Sequence, residues 1–340
     1  MLLLVEPLNR QGAQVYALHP DAWREYGQFM TNEPEVLVVP KLGAATVEDT
    51  NRWQAAAAEA ISFFKSRGTR VVADFCDFHF DTPVIGPFQS WLVSEADNVI
   101  VATDALATMV ASRFGIPPVV IGDPYEGAPA KPTFDLPRKR SSVGRLLRMS
   151  PATCRLLWFG HPSNFSSLLR WMGNFDPSGS DFLFSLDIVT TITPEIEASV
   201  RDINTRCGRK LPVAGIPWSL EAVWDALARC HIVVIPTQLG DPAKAVKSPN
   251  RLVEAIHAGR FVVANPLPSY QAFSEWVWLG EEIENGLFWF LTHMQEARRK
   301  LYAAQDYIEQ HHAPTAIAQQ WLHVFLNESQ ATSNGQVSAI

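Results

Sequence analysis

Short β-branched runs alternate with amphipathic helical stretches in two successive series along these 340 residues, and no other feature restricts the fold as much. The alternation marks parallel sheets, because parallel neighbours must be joined by a crossover of a dozen or more residues, usually a helix. In the first series Val36 to Val39 reads as a strand. Thr46 then caps a helix whose apolar positions Trp53, Ala57, Ile61 and Phe64 share one face, and Gly68 stops it. A strand at Arg70 to Ala73, a helix near Ile85 to Ala96, a strand at Asn98 to Ala102, a helix capped by Thr103 and a strand at Val119 to Ile121 complete the series.

Residues 127–142 break the pattern with Pro129, Pro132, Pro137 and the cluster Arg138, Lys139 and Arg140, a composition expected of an exposed linker. The second series predicts strands at Arg155 to Phe159, Phe182 to Val189, Leu211 to Ala214, Ile232 to Ile235 and Phe261 to Ala264. Between them it predicts a helix from about Asn164, one capped at Thr193 with Pro194 in its first turn, and others at Ser219 to Arg229 and Ser248 to Ala258. From Glu281 the pattern is helical, and a last helix opening at Pro314 carries Ile317, Trp321, Leu322 and Phe325. The expected fold is α/β, with two Rossmann-like domains: residues 1–135 and 136–312, a helix over 313–327 returning to the first domain, and a disordered tail over 328–340.

Bulk properties exclude several functions. A net charge of −7 without a long basic block argues against a nucleic-acid partner. Met1 to Val5 is too brief for a signal sequence, and no uncharged run reaches the roughly 20 residues of a membrane helix, so the expectation is cytoplasmic with at most peripheral membrane contact. Cys76, Cys154, Cys207 and Cys230 lack C-x-x-C spacing and read as reduced thiols. Several of the eleven Trp, among them Trp158, Trp218, Trp276, Trp278 and Trp289, fall in the second half, where core is the expected place for most.

Open parallel sheets bind ligands at the carboxyl ends of their strands, so the residues after each strand carry the functional reading. Beyond the strand ending near Pro236, Ser248 reads as the N-cap, Pro249 as the first position and Gly259 as the stop of a helix. Leu252, Val253 and Ile256 form its apolar face, while Lys247, Asn250, Arg251 and Glu254 form a polar one. Free amides at its start, with Lys244, Lys247 and Arg251, suit a diphosphate, and Glu254 a turn deeper suits ribose hydroxyls. A solvated helix end with an Arg251–Glu254 pair remains the alternative.

The segment Lys247-Ser-Pro-Asn-Arg-Leu-Val-Glu-Ala-Ile-His-Ala-Gly259, continuing through Tyr270, resembles the donor-binding segment of GT-B glycosyltransferases, in particular the retaining family 4. The resemblance implies that Glu254 binds the donor ribose. Leu156-Leu-Trp-Phe-Gly-His161 resembles the strand and loop that approach the donor phosphates and sugar, which implies donor contacts for Gly160 and His161. Ile216-Pro-Trp218 resembles the loop that contacts the nucleobase, and Asp74-Phe-Cys-Asp77-Phe-His79 with Ala96 to Thr103 resembles parts of the N-terminal domain. The likeness spans about residues 30 to 325 and implies a cleft between the domains. Two features depart from it: Val246 stands eight residues before Glu254, where the family usually has a second Glu, and no glycine-rich loop lies near residue 12.

The expected activity is transfer of a sugar from a nucleotide-diphosphate donor to an acceptor hydroxyl in the synthesis of a glycan, polysaccharide or glycoconjugate. The acceptor itself, whether a glycan, a lipid-linked sugar or a small molecule, is not named by the sequence. Of the cluster Asp74, Asp77, His79 and Asp81, the pair His79 and Asp77 is expected to take the acceptor proton. No metal is expected, and no cofactor beyond the donor. The alternatives are a sugar-nucleotide epimerase of the same fold and a non-catalytic nucleotide-sugar-binding or accessory protein.

Overall fold

The computed structural model describes residues 2–17, 19, 23–24, 33–41, 46–136, 152–177, 180–207 and 211–326. The expected tail, residues 137–142 of the expected linker and the cluster at Arg138 lie outside them. By internal contacts the chain divides into two units: Met1–Pro124 with Val246–Ser248 and His311–Ile340, and Tyr125–Ala245 with Pro249–Gln310.

Among the described residues the first unit holds a four-stranded parallel sheet of β1 (Val36–Pro40), β2 (Arg70–Phe75), β3 (Asn98–Val101) and β4 (Val119–Val120), ordered as they occur in the chain. Among the described residues its helices are α1 (Val5–Arg10), α2 (Val47–Lys65), α3 (Gly86–Glu95), α4 (Asp104–Phe114) and α11 (Pro314–Leu326), the last of them in the chain. The caps read from the sequence are present: Thr46 accepts from the Asp49 amide at 3.1 Å and Thr103 from the Leu106 amide at 3.1 Å. Strand alternation places Val71, Ala73 and Phe75 in one core with Ile61, Phe88, Leu92, Leu106 and Val110. Val72 points the other way, into a second core with Leu4, Leu8, Ile100, Ile121, Ile317, Ala318 and Trp321. The last helix thus returns to the first unit, as expected. Its partner α1 has no counterpart in the sequence reading.

Among the described residues the second unit holds six parallel strands: β5 (Thr153–Phe159), β6 (Leu183–Thr190), β7 (Val213–Pro217), β8 (Ile232–Ile235), β9 (Phe261–Ala264) and β10 (Trp278–Leu279). Their order across the sheet is β10-β9-β8-β5-β6-β7. The crossovers are α5 (Phe165–Asn174), α6 (Pro194–Cys207), α7 (Leu220–Arg229), the short α8 (Pro242–Ala245) and α9 (Asn250–His257), and α10 (Ile283–His311) follows β10. Strands β8 and β9 are buried at every position, as befits strands covered on both faces.

Three expectations need correction. The strand expected over Leu211 to Ala214 is β7, displaced towards the C-terminus. The Asn204 side chain fixes its start by bonding both the amide (2.9 Å) and the carbonyl (2.8 Å) of Val213, and Pro217 is tolerated at the end of this edge strand. Ser248 does not cap the following helix. That helix begins at Asn250 with Pro249 in the cap position and no side-chain cap, while Ser248 groups with the first unit and its hydroxyl lies against the Asp123 carboxyl. Residues 125–135, expected as part of the first domain and, from 127, of an exposed linker, group with the second unit. Tyr125 stacks on His257 with ring centroids 3.8 Å apart, and Phe134 meets Phe290 edge to face at 4.8 Å. Gly259 (φ +70°) lies under this strap, where a Cβ would come within 2.6 Å of the Ala130 carbonyl oxygen.

Candidate functional site

In the second unit β5 is the first strand of its series, β6 and β7 build outward on one side of it, and β8, β9 and β10 on the other. The chain order reverses between β5 and β8, which makes the carboxyl ends of these two strands the topological switch point. The loop after β5 is Gly160-His161-Pro-Ser-Asn164, and the chain after β8 leads to α8 and the start of α9. Two cations from that second stretch meet the first loop. Arg251, in the opening turn of α9, donates from Nη1 to the Phe159 carbonyl at 3.3 Å, and Lys244 on α8 donates from Nζ to Asn164 Oδ1 at 2.6 Å.

Gly160 makes this approach feasible. It has φ +155°, and a Cβ on it would come within 3.2 Å of Arg251 Nη1. The loop is fixed to β6, since the Gly160 amide donates to the Val189 carbonyl (3.1 Å) and the Thr190 hydroxyl to the Gly160 carbonyl (2.7 Å). Thr190 also accepts, through its backbone carbonyl, the amide of Trp218 at 2.9 Å, which ties the loop after β7 to the same end of the sheet. The Trp218 side chain is 58% exposed, so its indole face is open for stacking. Tyr270, 1% exposed, lies against the Arg251 guanidinium, whose charge acts on its phenol.

The structure therefore brings Gly160, Lys244, Arg251 and the loop of Trp218 to one end of the second sheet. His161 lies on the same loop, exposed, its Nδ1 2.9 Å from Ser163 Oγ. Asn250 and Glu254 are half-buried on α9, and the Asn250 Oδ1 is buried with no hydrogen-bond partner. Lys247 departs from this group. It belongs to the first unit, where its charge acts on Asp77. Asn164, Thr190 and Tyr270 were missed by the sequence reading; Tyr270 lay inside the segment that carried the resemblance, and position at a strand end would have flagged Thr190.

In the first unit Asp74 ends on β2 and Asp77 and His79 follow it. Asp77 Oδ2 pairs with Lys41 Nζ at 2.5 Å and stands 3.8 Å from His79 Nε2, too long for a hydrogen bond but close enough for charge attraction. Burial opposes ionisation of Asp77, yet His79, Lys41 and Lys247 together hold its carboxyl far below the usual carboxylate range. Asp74 differs: burial pushes it up to about 6, with Asp123 adding to the rise. Asp81 is drawn away to Arg113 at 2.6 Å. Among the described residues no group of three or more His, Cys, Asp or Glu could hold a metal ion, and no helix is long and apolar enough to cross a membrane.

No family model matches the chain, and no curated protein does. Solved structures match over most of its length. TarM shares 12% identity at a TM-score of 0.58, over 89% of this chain and 57% of its own. Alr3699/HepE of Anabaena, in complex with UDP-glucose, shares 16% at 0.59, over 85% of this chain and 78% of its own. An E. coli protein bound with UDP-2-fluoro glucose, described as trehalose-6-phosphate, shares 11% at 0.57, over 95% and 85%. This chain spans little more than half the length of TarM. At these identities the likeness is one of fold, and with two parallel α/β units and a final helix returned to the first, the chain has the GT-B fold of these glycosyltransferases.

Proposed function

We propose that this chain is a glycosyltransferase that moves a sugar from a nucleoside-diphosphate donor to an acceptor hydroxyl. The observation that supports it most is the convergence of Arg251 and Lys244 on the loop after β5, with Gly160 leaving room for close approach. Two fixed cations beside a switch-point loop suit a diphosphate, both in the bound donor and as the leaving group that gains charge in the transition state. Glu254, one turn into α9, would hold the ribose, and Trp218 would stack on the base. Asn250 and His161 would complete the donor contacts. HepE structures with UDP-glucose and with UDP and glucose support a donor of this kind for the fold.

In the reaction the bond between the sugar and the diphosphate oxygen breaks, a bond to the acceptor oxygen forms, and the acceptor proton passes to a base. His79 is proposed as that base and Asp77 as the carboxylate that orients it, because Asp77, ionised and paired with Lys41, is itself a weak proton acceptor. Protein cations in place of a metal, no further cofactor and a cytoplasmic setting belong to the same reading. The free thiols Cys76, Cys154 and Cys230 suit a reducing compartment. The absence of a long basic block speaks against a nucleic-acid acceptor.

A non-catalytic nucleotide-sugar-binding role is favoured by one observation. Val246, at the position where the resemblance leads one to look for a second carboxylate, is 2% exposed in the core of the first unit. Calorimetric titration with UDP, GDP, ADP, dTDP and CMP tests donor binding, and incubation of the matching sugar nucleotide tests turnover. Binding with transfer or slow donor hydrolysis supports the enzyme, binding with neither supports the second reading, and isomerised donor points to an epimerase.

A further inference from the structure

Between Gly160 and Asn164 the loop after β5 carries no lysine or arginine, so the two beside it must be delivered from the stretch after β8. Both arrive on long, flexible side chains, each of which would lose about 1.5–2 kcal/mol of rotamer freedom if ordered only when ligand binds. The protein has ordered them beforehand. The Arg251 guanidinium is held by the Phe159 carbonyl at 3.3 Å and lies against the phenol of Tyr270, a side chain 1% exposed in the core. The Lys244 ammonium is held at 2.6 Å by Asn164 Oδ1, and Asn164 is itself 9% exposed.

Neither anchor is a carboxylate. An anionic partner would neutralise the cation it holds, and an incoming diphosphate would then compete with a fixed negative charge. A phenol, a carboxamide and a main-chain carbonyl accept a hydrogen bond while leaving the full positive charge and the remaining N–H donors of each head group.

Resting on the donor reading above, we propose that Tyr270 and Asn164 are positioning residues: neutral anchors that preset Arg251 and Lys244 at the β5 loop as a charge pair for diphosphate. Their contribution falls on the diphosphate moiety and not on nucleoside or acceptor, and each acts through one cation only.

The test uses the full chain and inorganic pyrophosphate, a probe independent of the nucleobase, together with UDP, GDP and ADP, by calorimetric titration. Tyr270→Phe and Asn164→Ala should each weaken pyrophosphate binding by roughly tenfold, the value of one charge-assisted hydrogen bond. Tyr270→Phe should add less than about twofold in an Arg251→Ala background, and Asn164→Ala likewise in a Lys244→Ala background, as a double-mutant cycle requires of an effect passed through one partner. A general loss of packing would instead lower the melting temperature and persist in those backgrounds. If the wild type binds pyrophosphate and the anchor variants bind it equally, or lose the same factor without the cation, the positioning roles are overturned and the donor reading stands. If Tyr270→Phe does not fold, the Asn164 cycle decides alone. If the wild type binds neither pyrophosphate nor any of the three nucleotides, the donor reading itself falls.

Discussion

The two units are built from the same parts and differ in the order of their strands. In the first, β1 to β4 lie side by side in chain order, so every crossover steps the same way across the sheet. In the second, the chain lays β5, β6 and β7 outward and then returns to place β8 on the other side of β5. Only that reversal separates two adjacent loops and opens a crevice at the strand ends. The polar residues follow suit. After β2, Asp77 is paired with Lys41 and Asp81 with Arg113, charges already satisfied within the unit. After β5 and β8, Arg251 and Lys244 are held by neutral oxygens, the arrangement proposed above for a diphosphate. The lesson is that strand order decides where a nucleotide can sit, and the local ion pairing agrees.

This contrast can be broken or sharpened by substitution. The largest effect is expected from Trp321→Ala, which removes a side chain 3% exposed between α11 and the first sheet. It should cost about 3–5 kcal/mol of stability in denaturant unfolding while folded protein keeps its nucleotide affinity. A matching loss of affinity would mean that the two units do not divide structure and binding as described. Arg251→Ala should weaken nucleoside-diphosphate binding by roughly tenfold to a hundredfold in titration, with little change in melting temperature. Gly160→Ala should come next, about tenfold, because the added Cβ both strains φ +155° and meets the guanidinium at 3.2 Å.

Smaller still is a pH effect confined to the first unit. Asp74 has its folded value pushed up to about 6 from an ordinary 3.8, burial being the main cause. The folded state therefore holds the proton more tightly, and this contribution to stability, full below pH about 4, is lost as pH rises through about 6. Asp74→Asn should flatten that stretch of a melting-temperature profile, so that the variant gains on wild type as pH rises from 4 to 7. A profile identical to wild type between pH 4 and 7 would contradict the burial of that carboxyl. Asp77, held low by His79 and Lys41 against burial, works in the opposite direction and stabilises above pH about 4.

Much of this architecture was legible from residue pattern. The caps at Thr46 and Thr103 and the stop at Gly259 are local signals, and the strands they bracket were read to within a residue or two at most ends. The helix α1 was not, because six residues are too few to show a period and its burial depends on α11, some 300 residues away in sequence. The displacement of β7 escaped for a similar reason: Asn204, a helix residue, sets its start. At the site, Lys244 and Arg251 were visible as charges near a helix start, but their meeting with the β5 loop follows from β8 lying beside β5, a tertiary fact. Lys247 looks equivalent to them in sequence but groups with the first unit, where its charge acts on Asp77. Tyr270 reads as core in any sequence, and only its phenol oxygen tells otherwise.

The claim on which the rest depends is that a nucleoside diphosphate is held where β5 and β8 end. Hydrogen–deuterium exchange of the full chain, with and without a saturating nucleoside diphosphate from the titration panel, addresses it directly. Slowed exchange should concentrate in peptides covering Phe159 to Asn164 and Lys244 to Glu254, and should vanish in Arg251→Ala at the same ligand concentration. Protection confined to the residues after β2, or binding that leaves both of those peptides unchanged, would contradict it.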